Sequence, residues 1–333
     1  MKKTPRVVTI GGGTGSYSAL LGLKKHDVKL SAIVNMIDDG GSSGVLRDEL
    51  GVLPPGDVRQ CLVALAESST TLRKLFNYRF EEGGLKGHTF GNIFLSALEK
   101  ETGSFKKAIS EVGKILNIKG RVVPVTFTKS VLCADLLDGT TIVGQHHVDV
   151  VEGKVDRAPI KKVYLKPKAE INEDAKEALL EADYILIGPG DLYTSILPNI
   201  LVKGVSDAIK KSKGKKIFVM NLMTKYGQTT GFGAKKHLDE LEKYLSRGIV
   251  EYILINSEVP RKKVLEWYAD YDEKPVKDNL KTNGKYKIIK ADLLKDVVVS
   301  QDTADVLRRS IIRHDSKKLA EEVMELINNS VIK

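Results

Sequence analysis

The sequence predicts an α/β fold: a mainly parallel sheet with helices on both faces and a β-rich insertion. Three observations predict it. Short apolar, β-branched runs alternate with helical patterns, the arrangement that builds parallel sheets. Several of these runs end in Gly, Asp, Asn, Ser or Thr, and ligands of open α/β sheets collect at that edge. Between about residues 121 and 165 the texture changes to short β-rich runs without helices.

Residues 6–10 are the first strand, glycines follow, and a helical pattern covers 17–23 before a second strand over 28–36. Helical patterns dominate from 58 to 116, with Asp57 and Ser104 as N-caps. Within the insertion, Asp138-Gly139 between apolar runs signals a hairpin. Alternation resumes with a helix over 172–181, strands over Tyr184–Ile187 and 217–220, and helix Ala234–Leu245. A strand over 252–255, a helix over 261–268 and a last helix over 317–327, capped by Asp315 or Ser316, complete the order. At 333 residues the chain lies just above the length at which one core stops growing, so one nucleotide-binding domain over 1–333 with an inserted unit is expected.

The composition, 42% hydrophobic and 29% charged, is that of a globular protein. No apolar run approaches the length of a membrane span, and the N-terminus lacks the apolar stretch and cleavage site of a signal peptide. Cys61 and Cys133 stand far apart among apolar neighbours, which points to a reducing, cytoplasmic setting. The net charge of +10 suits an anionic partner. The basic residues are dispersed, however, and no aromatic-interleaved basic motif argues for nucleic acid.

The chemistry concentrates at predicted strand ends. Gly12, Gly13, Thr14, Gly15 and Ser16 lie between a strand and a helix, where glycines admit a phosphate to the backbone and the helix N-terminus offers N–H groups. No lysine follows as in a Walker A loop, and Ser16 spoils the dinucleotide fingerprint. Asp38, Asp39, Gly40, Gly41, Ser42, Ser43 and Gly44 follow the second strand. Asp38 and Asp39 are the candidates for holding a metal, gripping a ribose or acting as a general base. Arg59, in the first turn after Leu53-Pro54-Pro55-Gly56-Asp57, is placed to reach a phosphate. Gly188, Pro189, Gly190, Asp191 and Ser195 repeat the logic of the first loop, and Asn221 follows another strand. His88 and the pair His146-His147 read as structural or surface residues. The pair has neither cysteines nor an HExxH pattern, so no metal site is assigned.

Taken together, Gly11–Gly15, Asp38–Gly44, Leu53–Arg59, Gly188–Ser195 and Arg313-His314-Asp315 resemble the bacterial gluconeogenesis factor family (YvcK-like). That family shares a superfamily with the 2-phospho-lactate transferases (CofD). The resemblance implies a Rossmann-like fold, a UDP-sugar such as UDP-N-acetylglucosamine as ligand with no cofactor required, and a regulatory role in gluconeogenic carbon metabolism and cell envelope and shape. It also places Arg313 near the nucleotide and admits a protein partner, a kinase acting at Ser316, or a homodimer. The alternative is a CofD-like transferase that moves a phospho-lactyl-type group from a nucleotide-activated donor with magnesium, so turnover stays open. Gln60 and Lys225-Tyr226 depart from the family pattern, where asparagine and Gln-Pro are expected.

Overall fold

The computed structural model describes residues 3–150, 157–282, 284–296 and 310–331. Met1 and Lys2 of the basic N-terminus, and 151–156 of the expected insertion, lie outside the described residues. The first strand β1 (Arg6–Gly11), helix α1 (Gly13–Leu23) and β2 (Lys29–Val34) form a parallel unit with Ile10 opposite Ile33. Five helices follow: α2 (Gly41–Leu50), α3 (Gly56–Leu65), α4 (Thr70–Asn77), α5 (Phe90–Thr102) and α6 (Phe105–Ile115). The chain then enters β3 (Arg121–Pro124), β4 (Val131–Leu136), β5 (Thr141–Val143), α7 (Gln145–Asp149) and β6 (Ile160–Lys166). The second half runs α8 (Glu173–Glu181), β7 (Tyr184–Ile187), α9 (Leu197–Ile200), α10 (Val205–Lys211), β8 (Lys215–Val219) and α11 (Ala234–Leu245). It closes with β9 (Tyr252–Asn256), α12 (Lys262–Ala269), β10 (Lys287–Ala291) and α13 (Ser316–Val331).

Seven strands form one parallel sheet in the order β10-β9-β8-β7-β1-β2-β3. Central strands such as Tyr184–Ile187 are buried on both faces, which is why they read as continuous apolar runs rather than alternating ones. The order places β2 on one side of β1 and β7 on the other, with Ile10 opposite Ile187. The winding of the sheet therefore reverses between β1 and β7, and a crevice opens beyond their carboxyl ends.

The insertion differs from expectation in two respects. Residues 121–124 belong to the main sheet as β3, because their backbone pairs in parallel with Ser31 to Val34. The separate unit is the antiparallel sheet β5-β4-β6, and it carries the short helix α7. Its hairpin is the expected one: Asp138-Gly139 turns with Gly139 at φ +91°, and Cys133 faces Val143. Leu132, Ala134, Leu136, Val163 and Leu165 pack into the same hydrophobic cluster as the main strands.

The local signals hold at most helix starts. The Ser104 hydroxyl accepts from the Lys107 amide, and the Asn172 side chain from the Ala175 amide, each cap contributing about 1 kcal/mol. Asp57 is not a cap. Pro55 precedes α3 and Asp57 sits in its first turn, which frees its carboxylate to face elsewhere. At α13 the Asp315 carboxylate accepts from the amides of Lys317 and Lys318, so Asp315 caps and Ser316 is already helical. The segment after Asp39 is not a loop. Gly40 is the N-cap of α2, and Gly41 adopts φ +48°.

Helix α13 closes over α1 at Gly22, where an added Cβ would lie 1.8 Å from the Ser316 carbonyl oxygen. Backbone cannot swing aside there as a flexible side chain would. Gly22→Ala is therefore expected to lower the unfolding free energy by about 2–3 kcal/mol, read as a reduced urea midpoint. Gly84→Ala, whose Cβ would meet nothing within 4 Å, should change it by under ~0.5 kcal/mol.

Candidate functional site

The crevice at the β1/β7 reversal is a cavity of about 540 Å³, within the range of small-molecule sites. Gly13, Thr14 and Gly15 from the start of α1 line it together with Pro189, Gly190, Asp191 and Ser195 from the loop after β7. Asp38, Gly40, Gly41, Ser42 and Ser43 come from the loop after β2 and the first turn of α2. Arg59, Asn221 and Arg313 complete the candidate residues that the cavity gathers. Two helix N-termini, those of α1 and α2, thus open on one space. Each offers unpaired N–H groups and the positive end of a helix dipole.

The glycines serve packing as much as access. A Cβ on Gly15 would lie 1.8 Å from the Pro189 carbonyl oxygen, so the β1 and β7 loops touch backbone to backbone. Gly12 has an ordinary φ of −89°, contrary to the expectation of a left-handed glycine, and its open side meets Ser195 Oγ at 3.0 Å and Asp57 Oδ2 at 3.1 Å. Gly188, at φ +81°, turns the chain behind the cavity surface. Gly12, Gly188, Ser16 and Asp39 are the candidates that do not line the cavity.

The two adjacent acids have separate duties. Asp38 lines the cavity, and its Oδ1 accepts from the Gly40 amide at 3.1 Å. Asp39 faces the small sheet, where its carboxylate accepts from the amides of Gln145 at 3.0 Å and His146 at 2.7 Å. Consecutive residues in an extended loop point to opposite sides, so one acid reaches the ligand space and the other pins α7. The expectation that Asp39 contacts ligand is corrected accordingly. Ser42 and Ser43 are engaged as well: Ser42 Oγ meets Asn92 Nδ2 and His88 Nδ1, each at 3.0 Å, and Ser43 Oγ accepts from the Gly56 amide.

Arg59 is buried, and its guanidinium donates to Asn92 Oδ1 at 2.9 Å and to the side chain of Asn77. It orders the α3–α5 wall as well as facing the cavity. Arg313 donates from Nη1 to the carbonyls of Ser310 and Ile312.

Sequence reasoning missed four side chains that line the cavity. Asp57 turns its carboxylate toward the glycine loop, and Gln60 accepts from Thr14 Oγ1 at 3.1 Å. Asp149 comes from α7, and Lys225 extends from the segment after β8. Lys225 Nζ lies 3.6 Å from Asp149 Oδ1 and 3.8 Å from Asp191 Oδ2. Burial pushes the Asp191 carboxyl above the usual carboxylate range, and Lys225 opposes that shift. The motif containing Asp191 signalled a site; nothing local signalled that α7 would reach it.

His314 closes the floor of the cavity with Nε2 donating to the Met220 carbonyl at 3.1 Å. Burial lowers its pKa from 6.5 to about 4. The unfolded imidazole binds a proton below pH 6.5 and the folded one only near pH 4, so the unfolded state gains protons first. This contribution to stability is complete above pH 6.5 and is lost as pH falls toward 4. Between pH 7 and pH 4.5 it amounts to about 2 kcal/mol. His314→Gln, which keeps a donor for Met220, should lose that much less stability over the same interval in paired urea titrations. The buried Asp191 carboxyl contributes with the opposite sign in both proteins and cancels from the comparison.

The family model described as 2-phospho-L-lactate transferase CofD matches residues 7–294. A putative gluconeogenesis factor of Thermotoga maritima is 44% identical over 324 residues, covering 97% of this chain and 99% of that protein. Another, from Thermoanaerobacterium thermosulfurigenes, is 40% identical over 327 residues and covers 97% of each chain. The crystal structure of a UPF0052 family member from Bacillus halodurans superposes with a TM-score of 0.87 at 37% identity, over 97% of this chain and all of that one. A likeness that runs through the parallel sheet, both glycine-rich strand ends and the small sheet leaves one assignment: the chain belongs to the CofD family, among its gluconeogenesis factors.

Proposed function

We propose that this protein binds a nucleotide diphosphate sugar, with a UDP-sugar such as UDP-N-acetylglucosamine as its ligand. On this reading it acts as a regulator of gluconeogenic carbon metabolism and of cell envelope and shape. The observation that carries the proposal is the meeting of two helix N-termini and the Gly188–Ser195 turn at one cavity of about 540 Å³. A diphosphate is the group that such convergent backbone N–H donors favour. Arg313 supplies a cation at the other rim. The regulatory role follows from the kinship with gluconeogenesis factors. It fits a cytoplasmic protein that passes ligand occupancy to a protein partner, a kinase or a second copy of itself. Among the described residues no helix is long and apolar enough to cross a membrane.

Thermal unfolding with UDP-sugars, GDP and NAD tests the ligand class. A specific ligand at ~100 times its Kd adds roughly 2.7 kcal/mol, several degrees in Tm. UDP-sugars are expected to give that shift, and Arg313→Ala to reduce it. A larger shift with GDP or NAD, or none with any UDP species, contradicts the reading.

The match to the transferase model supports a second reading, group transfer from a nucleotide-activated donor. Asp38 then takes the proton of an acceptor hydroxyl. Among the described residues no three ligating side chains cluster as a metal cage. Magnesium therefore fits here only as a partner of the diphosphate, with Asp38 adding one hard carboxylate oxygen and the cation offsetting phosphate charge. Under the regulator reading, wild type with magnesium and GDP- or UDP-linked donors yields no product over hours. Magnesium-dependent product that disappears in a folded Asp38→Asn variant would establish the transferase instead.

A further inference from the structure

Two amide side chains at the cavity hold buried oxygens that nothing in the protein satisfies. Asn221, just past β8, lines the cavity and donates from Nδ2 to the Gly190 carbonyl at 2.8 Å. That bond fixes which end of the amide is which, and Asn221 Oδ1 is left buried without a hydrogen-bond partner. Gln145, the first residue of α7, also lines the cavity, and its Oε1 is likewise buried and unmatched. Buried acceptors are satisfied in nearly all native structures, so two at one cavity point to donors that arrive with a ligand.

Gln145 is also held in place. Its own amide and that of His146 are gripped by Asp39. One turn on, Asp149 accepts from Thr194 Oγ1 at 3.3 Å and from Gln228 Nε2 at 3.0 Å. Both ends of α7 are thus tied to the main sheet's strand-end loops, and a side chain on it can discriminate between ligands.

The charges nearby sharpen the chemistry. Asp149, Asp191 and Glu273 gather around Lys225 and Arg313, so carboxylates outnumber cations on this wall. Lys225 sits between two of the acids, and Arg313 is engaged by backbone carbonyls. A carboxylate arriving here would meet acids and bare amide oxygens. A neutral sugar would bring hydroxyl and N–H donors to the same atoms.

We propose that Gln145 and Asn221 read the sugar of the bound nucleotide: their amide oxygens accept hydrogen bonds from it, and the wall selects a neutral polyhydroxylated sugar over one bearing a carboxylate. This rests on the nucleotide-sugar reading above and assigns the sugar to the α7 side, with the diphosphate at the helix N-termini.

Calorimetric titration of UDP, UDP-glucose and UDP-glucuronate into wild type and Gln145→Met tests it. Wild type is expected to bind UDP-glucose about tenfold more tightly than UDP-glucuronate, the scale of discrimination from an unpaired polar group. Gln145→Met, close in length but lacking the acceptor, should weaken UDP-glucose about tenfold while UDP itself stays within about twofold. The comparison between sugars in wild type needs no variant to fold. Equal binding of the two sugars by wild type, or unaltered UDP-glucose binding by Gln145→Met, overturns the inference while UDP binding keeps the nucleotide reading. Absence of any UDP binding by wild type overturns both.

Discussion

Adjacent strands of a sheet lie about 4.8 Å apart, and the chains leaving β1 and β7 must pass each other within that spacing while reversing direction. At Gly15 the backbone comes so near the Pro189 carbonyl that no side chain fits. This approach brings the first turn of α1 and the Gly188–Ser195 turn to one mouth, and the cavity exists because they converge. Glycine costs a helix roughly 0.5–1 kcal/mol relative to alanine. Here that cost accompanies the only geometry in which both loops face the same space. The same logic recurs at Gly44, where a Cβ would lie 2.1 Å from the Asp39 carbonyl oxygen, so the start of α2 folds tightly onto the loop that bears both acids.

The cavity has a graded polarity. Backbone donors dominate beside β1 and β2, and acceptors dominate toward α7 and β8. Neutral groups on the floor keep that gradient from being blurred. His314 stays uncharged at neutral pH because burial disfavours the imidazolium, and its bond to the Met220 carbonyl fixes the tautomer. A further cation at that position would draw phosphate away from the helix N-termini. The small sheet contributes as well, since without α7 the acceptor side of the cavity would be open water.

Much of this was legible in the sequence because the relevant signals are local. A β-branched run followed by glycines marks a strand end wherever it occurs, and Tyr184–Ile187 and Ala234–Leu245 have the predicted bounds. Asp138-Gly139 needed only its neighbours to be read as a hairpin. What escaped depends on contacts across long stretches of chain. Asp38 and Asp39 look equivalent in sequence, and only the position of Gln145, more than a hundred residues on, separates their roles. Gln145 and Asp149 themselves carry no motif. Strand β10 was missed because Lys287 and Lys290 break its apolar run, as suits an edge strand that is only half-buried. Helix α2 was read as a loop because four of the seven residues from Asp38 to Gly44 are glycine or aspartate in its opening turn, and their helix-breaking character outweighed Leu46 downstream.

The division of labour between Asp38 and Asp39 has a mechanical side. The two carboxylates hang from one stretch of backbone, one turned into the cavity and the other clamped on the start of α7. Displacing either tilts the peptide they share. Whatever pulls on Asp38 is therefore transmitted, with opposite hand, to the small sheet on the far side, and force applied to that sheet returns along the same lever. Such transmission is symmetric by thermodynamic necessity: a binder on the outer face of β4 and β5 that prefers one tilt must change the affinity inside by the same factor by which the occupant changes its own. The pair of acids makes the inserted sheet a handle on the crevice.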